Sequence, residues 1–430
     1  MRYFNSFQPS RFLSVRILRA DLRIVAMIAA IFIYAILGSP TPDALSWVEA
    51  LVGAFLLLVI GIDGIARVLR FVDFRDIWFQ AGQIFMVYGL AVGLLGAVIS
   101  GVQIGAIMRD VLPFGFLFLP LFFIGFYQRG RFERIYMVCF ITLGLVFSVR
   151  AASPALGFPI LVGYEALYYL GNSPAVLFAA LFLFGCGVRI LSRGINVRNL
   201  SFAVLCFTGC VVAVLPIIMT VQRASMAAIV VYMGLAFGIL LMRNPKRMVV
   251  IGLVIGGLAA LIFGDVIDHA YQTISLKSEL VGANMRYEEW AAVWGEISSH
   301  PLTLLFGQGW GASFSSPAVA DIEVSYTHSL LSSMLLKVGL VGFVLCAGYI
   351  GALFYTLLRH FRGREIIVMA IVAPLLIDVF LYAAYKSLDF GLLLGLIPMV
   401  ICRNFEATGI ASKRCVMYEK GKGANHHYYA

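Results

Sequence analysis

Apolar residues fill this chain in solid blocks of about 15 to 25, separated by short polar or basic stretches, and a helical block of that length crosses roughly 30 Å of hydrocarbon. Membrane-spanning strands would alternate apolar and polar positions instead, so helices are predicted throughout. Twelve spans follow: Leu22 to Leu37, Leu45 to Ile62, Trp78 to Ser100, Val111 to Tyr127, Ile135 to Val149, Ser173 to Ser192, Leu200 to Val221, Met226 to Met242, Met248 to Phe263, Ser329 to Leu358, Ile366 to Ala384 and Gly391 to Cys402. The fold class is therefore an all-α polytopic membrane protein with about twelve transmembrane helices, residues 1–430 forming a single membrane domain. Connections are short except at 150–172 and 264–328; the second is a long, partly helical outer loop, and a loop that long among tight turns is usually functional.

Composition agrees. With 61% hydrophobic residues, 13% charged ones and a mean hydropathy of +0.95, the chain has too little polarity to cover a water-soluble surface. The net charge of +10 reads as topology. Arginines gather in every second connection: at 2 to 23, at 67 to 75, in "QRGRFER", at 189 to 198, in "RNPKR" and at 359 to 364, with further basic residues in the tail. The positive-inside rule then puts both termini in the cytoplasm and leaves Arg109, Arg150, Arg223, Lys277, Arg286, Lys337 and Lys386 on or near the other side. Residues 1–21 are a basic cytoplasmic segment with no cleavable apolar core, and 403–430 a polar cytoplasmic tail expected to be disordered, His426 and His427 included. The basic excess faces anionic lipid headgroups, and without a basic domain or groove-reading motif, nucleic acid is not an expected partner. No cysteine falls in the outer loops, so no disulfide framework is implied, and Cys206 and Cys210, one turn apart, read as packing.

The long outer loop carries the candidate chemistry. "NMRYEEWAAVWGEISSHPL" predicts an amphipathic helix with Arg286, Trp290, Val293 and Ile297 on one face, closed by Pro301 after His300, a helix-end residue. "LLFGQGWGASF" follows, whose Gly307, Gly309 and Gly311 would let backbone amides approach an anion, a weak signal in a chain with 42 glycines. Arg223 interrupts "PIIMTVQRASMAAIVV" between two spans that meet with almost no loop. It is either a headgroup-level anchor or, like Arg286, a fork of donors for phosphate oxygens. His328 follows Tyr326 and Thr327 at the lip of the next span, in the frame His328, Ser329, nine residues, Gly339, two residues, Gly342.

That histidine frame, "QRAS" at Arg223, and "MRYEEW", "SHPL" and "GQGWG" upstream of the histidine together resemble the O-antigen ligase and polysaccharide polymerase (Wzy-type) superfamily of bacterial membrane glycosyltransferases, over about residues 200 to 358. The resemblance implies an enzyme at the periplasmic face of the inner membrane. It would transfer a glycan from an undecaprenyl-diphosphate donor to a sugar hydroxyl of a glycan or lipid A core acceptor, alongside other polysaccharide-assembly proteins. Arg223 and Arg286 would hold the diphosphate and His328 would be the catalytic base, with Tyr326, Lys337 and Lys386 as supporting residues. These roles suit the chemistry, because guanidinium groups stabilise a leaving diphosphate and an imidazole can accept a hydroxyl proton. Ligase is favoured slightly over polymerase. Arg223, ten residues, Gly234 resembles a polymerase motif, but Ile297 stands where its second copy after Arg286 would need glycine.

No cofactor and no metal are expected. Glu288, Glu289, Glu296, Asp321 and Glu323 of the loop lack Asp-x-Asp spacing and read as a solvated face, with the arginines standing in for a cation. Lys337, two turns into its span, either snorkels or reaches the diphosphate, and Lys386 either pairs with Asp389 or lines the site. Asp378 is a rare intramembrane acid, a functional candidate by default. The rival from another class is a multispan transporter, which would need a repeat between the halves that the sequence does not display.

Overall fold

The structure is a computed structural model that describes residues 11–40, 47–70, 76–124, 130–154, 169–254, 256–257 and 285–407. Lys277, His426, His427 and most of the expected tail lie outside the described residues, as do 264–284 of the long loop. In chain order the elements are α1 (Arg11–Leu37), α2 (Trp47–Leu69), α3 (Ile77–Ile99), α4 (Ile104–Phe116), α5 (Leu119–Phe122), α6 (Gly130–Ala152), α7 (Pro174–Arg193), α8 (Val197–Met219) and α9 (Arg223–Arg243). Then come α10 (Arg286–Ser298), α11 (Pro301–Phe306), β1 (Phe314–Ser316), β2 (Ile322–Val324), α12 (Leu330–Arg359), α13 (Glu365–Phe380) and α14 (Leu388–Ala407).

Among the described residues seven helices are long and apolar enough to cross a membrane: α2, α3, α6 from Phe132, α7, α8, α9 and α12. The apolar stretches Leu22–Leu37 and Leu388–Val400 are shorter helices. The stretch expected to span at 111–127 is broken instead, because Pro113 sits inside α4 and Pro120 opens α5. Of the expected span at 248–263, residues 245–254 are helical and 258–263 lie outside the described residues.

Packing is tightest around α7, which is buried along nearly its whole length by α6, α8, α9 and α13. Small residues set that closeness: a side chain at Gly144 of α6 would overlap the carbonyl of Ala175 on α7, so the two backbones touch. α14 is a second central helix, with Leu392, Leu393, Leu394, Leu396 and Ile397 fully buried. Apolar residues at the rim, such as Leu205, Val230 and Val344, stay exposed, as lipid-facing positions require.

The far end of the long loop folds back onto α3 and α12 through "GQGWG". Gly307, Gly309 and Gly311 all have positive φ, at 76°, 92° and 83°, which lets the turn press flat against two helices. Gly339, at φ 70° and ψ −170°, interrupts α12 opposite it. The Leu336 and Lys337 carbonyls beside this break accept from the Gln308 and Gly309 amides, each at 2.9 Å. On the other side the Trp310 amide donates to the Gly93 carbonyl at 3.0 Å, and its indole Nε1 to Gly89 at 2.9 Å. The last amide, Gly311, donates to Asp110 Oδ2 at 2.8 Å. These glycine-turn amides therefore bind the chain's own carbonyls and carboxylate, which corrects the expectation of an external anion there.

Asp110 is buried at the end of this turn and holds Lys337 Nζ at 2.7 Å and Lys386 Nζ at 2.9 Å. Lys337 has no exposure and donates also to the Ala312 carbonyl. Its ammonium is thus held by a carboxylate that it shares with Lys386 and by a backbone carbonyl. Lys386 pairs with Asp110, not with Asp389, whose carboxylate accepts from Tyr34 and Ser173. A small cleft of about 10 Å³ lies beside this cluster, lined by Asp110, Trp310, Ser333, Tyr385 and Lys386 among others.

Removing one partner of a buried ion pair costs about 3–5 kcal/mol, because the other charge is left without compensation. Asp110→Asn is expected to lower the thermal midpoint of the detergent-solubilised protein by that equivalent, and Asp110→Asn with Lys337→Met to recover part of the loss. An unchanged midpoint in Asp110→Asn would contradict the role given to this carboxylate.

Candidate functional site

α12 begins where the loop ends, and residues 325–329 form the lip between them. β1 and β2 pair antiparallel, Phe314 opposite Val324 and Ser316 opposite Ile322, around a turn in which Ala320 and Asp321 have positive φ. The strand then delivers Ser325 to two cations, one exposed and one half-buried: Arg109 Nη2 donates to its Oγ at 2.6 Å and Lys386 Nζ to its carbonyl at 3.1 Å. Thr327 Oγ1 donates to the Ser329 carbonyl and accepts from Ser332 Oγ, both at 2.8 Å. Ser329 Oγ donates to the Val379 carbonyl of α13 at 3.1 Å. Three helices therefore fix the backbone on either side of His328.

α10 supplies the rest. Its buried face sets Val293 and Ile297 against Phe314, Leu335 and Leu336, with Trp290 edge-on to Phe343 at 6.3 Å, so the predicted apolar face is the one that packs. That packing turns Glu289 toward the lip. Its Oε1 lies 2.9 Å from His328 Nδ1 and accepts from Ser316 Oγ at 3.2 Å, while Oε2 accepts the His328 amide at 3.1 Å. Arg286 Nη1 stands 4.0 Å from Oε2, one turn back on the same helix. The Glu289 side chain is 1% exposed and that of His328 21%, so the acid is enclosed and the imidazole reaches the surface.

This corrects the reading of Glu289 as part of a solvated acidic face. Glu288, Glu296, Asp321 and Glu323 are exposed as expected. Burial pushes the Glu289 carboxyl upward, but the hydrogen bonds and charge of His328 and the charge of Arg286 outweigh it, and the group is held below the usual carboxylate range. Position in the first turn of α10 favours the same ionised form. Tyr326 lies edge-on to the His328 ring at 5.7 Å, and burial raises its phenol, so it stays protonated near neutral pH.

Of the residues singled out in the sequence, the structure brings Arg286, Tyr326 and His328 together directly. Arg223 opens α9 after a tight turn in which the Gln222 amide bonds the Ile217 carbonyl at 3.1 Å. The Gln222 side chain abuts Gly171, and Tyr169, two residues earlier, lies within electrostatic reach of Tyr326. Residues 169–171 therefore adjoin the arginine turn at Gly171 and stand within charge range of the lip at Tyr169. Lys386 touches the lip through the Ser325 carbonyl, and Lys337 belongs to the buried ion cluster. His300 caps the start of α11, its Nδ1 accepting from the Leu302 amide at 3.2 Å. Arg150 donates to the Ala35 and Gly38 carbonyls at 2.8 and 2.9 Å, a helix-end bond. Asp378 is buried, one residue before the Val379 carbonyl that receives Ser329.

What the constellation offers is an imidazole with one nitrogen tied to a carboxylate and the other, among the described residues, without a hydrogen-bond partner, beside an arginine. A carboxylate accepts only, so in the neutral ring Nδ1 carries the hydrogen and Nε2 the lone pair. Residues 208–347 match the family model described as O-antigen ligase, a stretch that contains Arg223, Arg286, Glu289 and His328. The match supports the O-antigen ligase/Wzy-type superfamily for this chain. No curated protein matches the chain.

Because Glu289 is ionised below its ordinary range, the bonds it accepts are present above that range and are lost as pH falls through the depressed value. Hydrogen exchange at the His328 amide, corrected for intrinsic rate, is expected to stay protected down through about pH 4.3, the ordinary glutamate value, and to lose protection only below it. Glu289→Ala should remove the protection at every pH. Protection in the native chain that decays around the ordinary value would contradict the pairing.

Proposed function

We propose that the protein transfers a glycan from an undecaprenyl-diphosphate donor to a sugar hydroxyl at the periplasmic face of the bacterial inner membrane, as an O-antigen ligase acting on a lipid A core. The observation that carries this reading is the Glu289–His328 pair beside Arg286, inside the stretch that matches the O-antigen ligase family model. In this reading His328 Nε2 takes the proton from the acceptor hydroxyl as its oxygen bonds to the anomeric carbon. The bond from that carbon to the diphosphate oxygen breaks, and the diphosphate leaves with the electron pair. Arg286 and Arg223 bind the diphosphate and meet its growing charge with charge-assisted hydrogen bonds. A guanidinium cannot lose its proton at working pH, so the positive charge is permanent.

A polymerase would use the same leaving group and the same base, passing a growing glycan onto the next lipid-linked repeat. The difference lies in the acceptor, and glycan display separates the two. In a null strain complemented at matched membrane expression, His328→Ala is expected to lower transfer by about 10²–10⁴-fold, the usual worth of a general base. Arg223→Ala and Arg286→Ala should also lose long glycan. Loss of all long glycan from the core, with lipid-linked polymer accumulating, marks a ligase, whereas single repeats surviving on the core mark a polymerase. Wild-type ladders in all three variants would contradict glycosyl transfer at this site.

A further inference from the structure

α10 carries three faces, not two. One packs on α12 through Glu289, Val293 and Ile297. At 100° per residue, the second, centred on Tyr287, Ala291 and Trp294, lies roughly a third of a turn away from it, and the third, with Glu288 and Glu296, lies on the other side. Tyr287 is 83% and Trp294 50% exposed, and Glu288 and Glu296 are exposed too. A helix surrounded by water has no reason to segregate exposed aromatics to one flank and acids to the other.

The apolar flank continues into α11, where Leu302, Leu305 and Phe306 are also exposed. The depth of this unit is fixed by what it touches. Gly307, just after Phe306, lies against Lys337 and Gly339, and Trp290 packs on Phe343. Gly339 is where α12 breaks and Phe343 lies one turn beyond it, so both contacts fall at the start of the unbroken helical stretch 340–359. That stretch, at 1.5 Å per residue, is about 30 Å long and by itself matches about 30 Å of hydrocarbon, which puts both contacts at the edge of the apolar layer on the side of His328. Next to these contacts in sequence, α12 exposes Leu340, Val341 and Val344, so exposed apolar side chains occur on both partners of the contact.

We propose that α10 and α11 are a membrane-interface element, bedded by their exposed apolar flank in the lipid leaflet on the side of His328, with the acidic flank of α10 turned to water. Aromatic side chains at the flank suit the headgroup boundary, and the leucines and Phe306 suit the acyl chains beneath it. The proposal stands apart from the glycosyl-transfer reading, because its test reads depth and not activity.

The test uses the full chain reconstituted in vesicles of phosphatidylethanolamine and phosphatidylglycerol, labelled with bimane at Trp294→Cys, Leu302→Cys or Phe306→Cys. Glu288→Cys and Glu296→Cys serve as the water-facing comparison, and the unsubstituted protein measures label on native cysteines. Brominated lipid should quench the first three strongly and aqueous iodide weakly, with the order reversed at 288 and 296. Iodide quenching as strong at 294, 302 and 306 as at 288 and 296 would overturn the proposal. So would protection of those three from both quenchers, which means protein covers the flank. A variant that misfolds is recognised by loss of its monodisperse elution and is replaced by Leu305→Cys or Tyr287→Cys on the same flank.

Discussion

The carboxylate of Asp110 is the tie on which the working end of this molecule depends. It is buried, it holds two lysines from elements more than 200 residues away in sequence, and it accepts the last amide of the glycine turn. In a low-dielectric interior none of these groups can be left alone, because an unpaired charge or amide costs far more there than in water. The consequence is geometric. α4, the turn after α11, α12 and the segment before α14 must all meet at one point.

From that point the lip follows. Lys386 reaches from Asp110 to the Ser325 carbonyl, Arg109 from the neighbouring position to the Ser325 hydroxyl, and the backbone arrives at His328 with little freedom left. Gly339 breaks α12 where the glycine turn docks, so the break and the turn satisfy one another. α10, laid against the same stretch of α12, then needs only its helical pitch to bring Glu289 to the imidazole and Arg286 one turn back. A rigid core thus positions an imidazole, its carboxylate and an arginine at a surface.

Much of this was legible in the sequence. Block length gave the membrane class, the frame around His328 pointed to the lip, and the face of Arg286, Trp290, Val293 and Ile297 is the face that packs. Glu289 was not legible, since five acids in a loop look alike until packing selects one. Its signal, in hindsight, is its register: at 100° per residue it falls on the flank of the Val293 and Ile297 stripe, whereas Glu288 does not. The partner of Lys337 was not legible for a related reason, because Asp110 lies 227 positions away and no local pattern announces it. The break of the predicted span at 111–127 was written in Pro113 and Pro120, whose effect a hydropathy window averages away.

The central claim is that Glu289 and His328 act as one unit in glycosyl transfer. The most direct measurement is a double-mutant cycle on the protein reconstituted with a lipid-diphosphate-linked glycan donor, comparing transfer rates for the native chain, Glu289→Gln, His328→Ala and the double variant. Residues that work together are strongly non-additive, so the double variant should be no slower than His328→Ala alone. A double variant whose loss is the product of the two single losses would contradict the claim, and Glu289 would then be a structural neighbour of the base and nothing more.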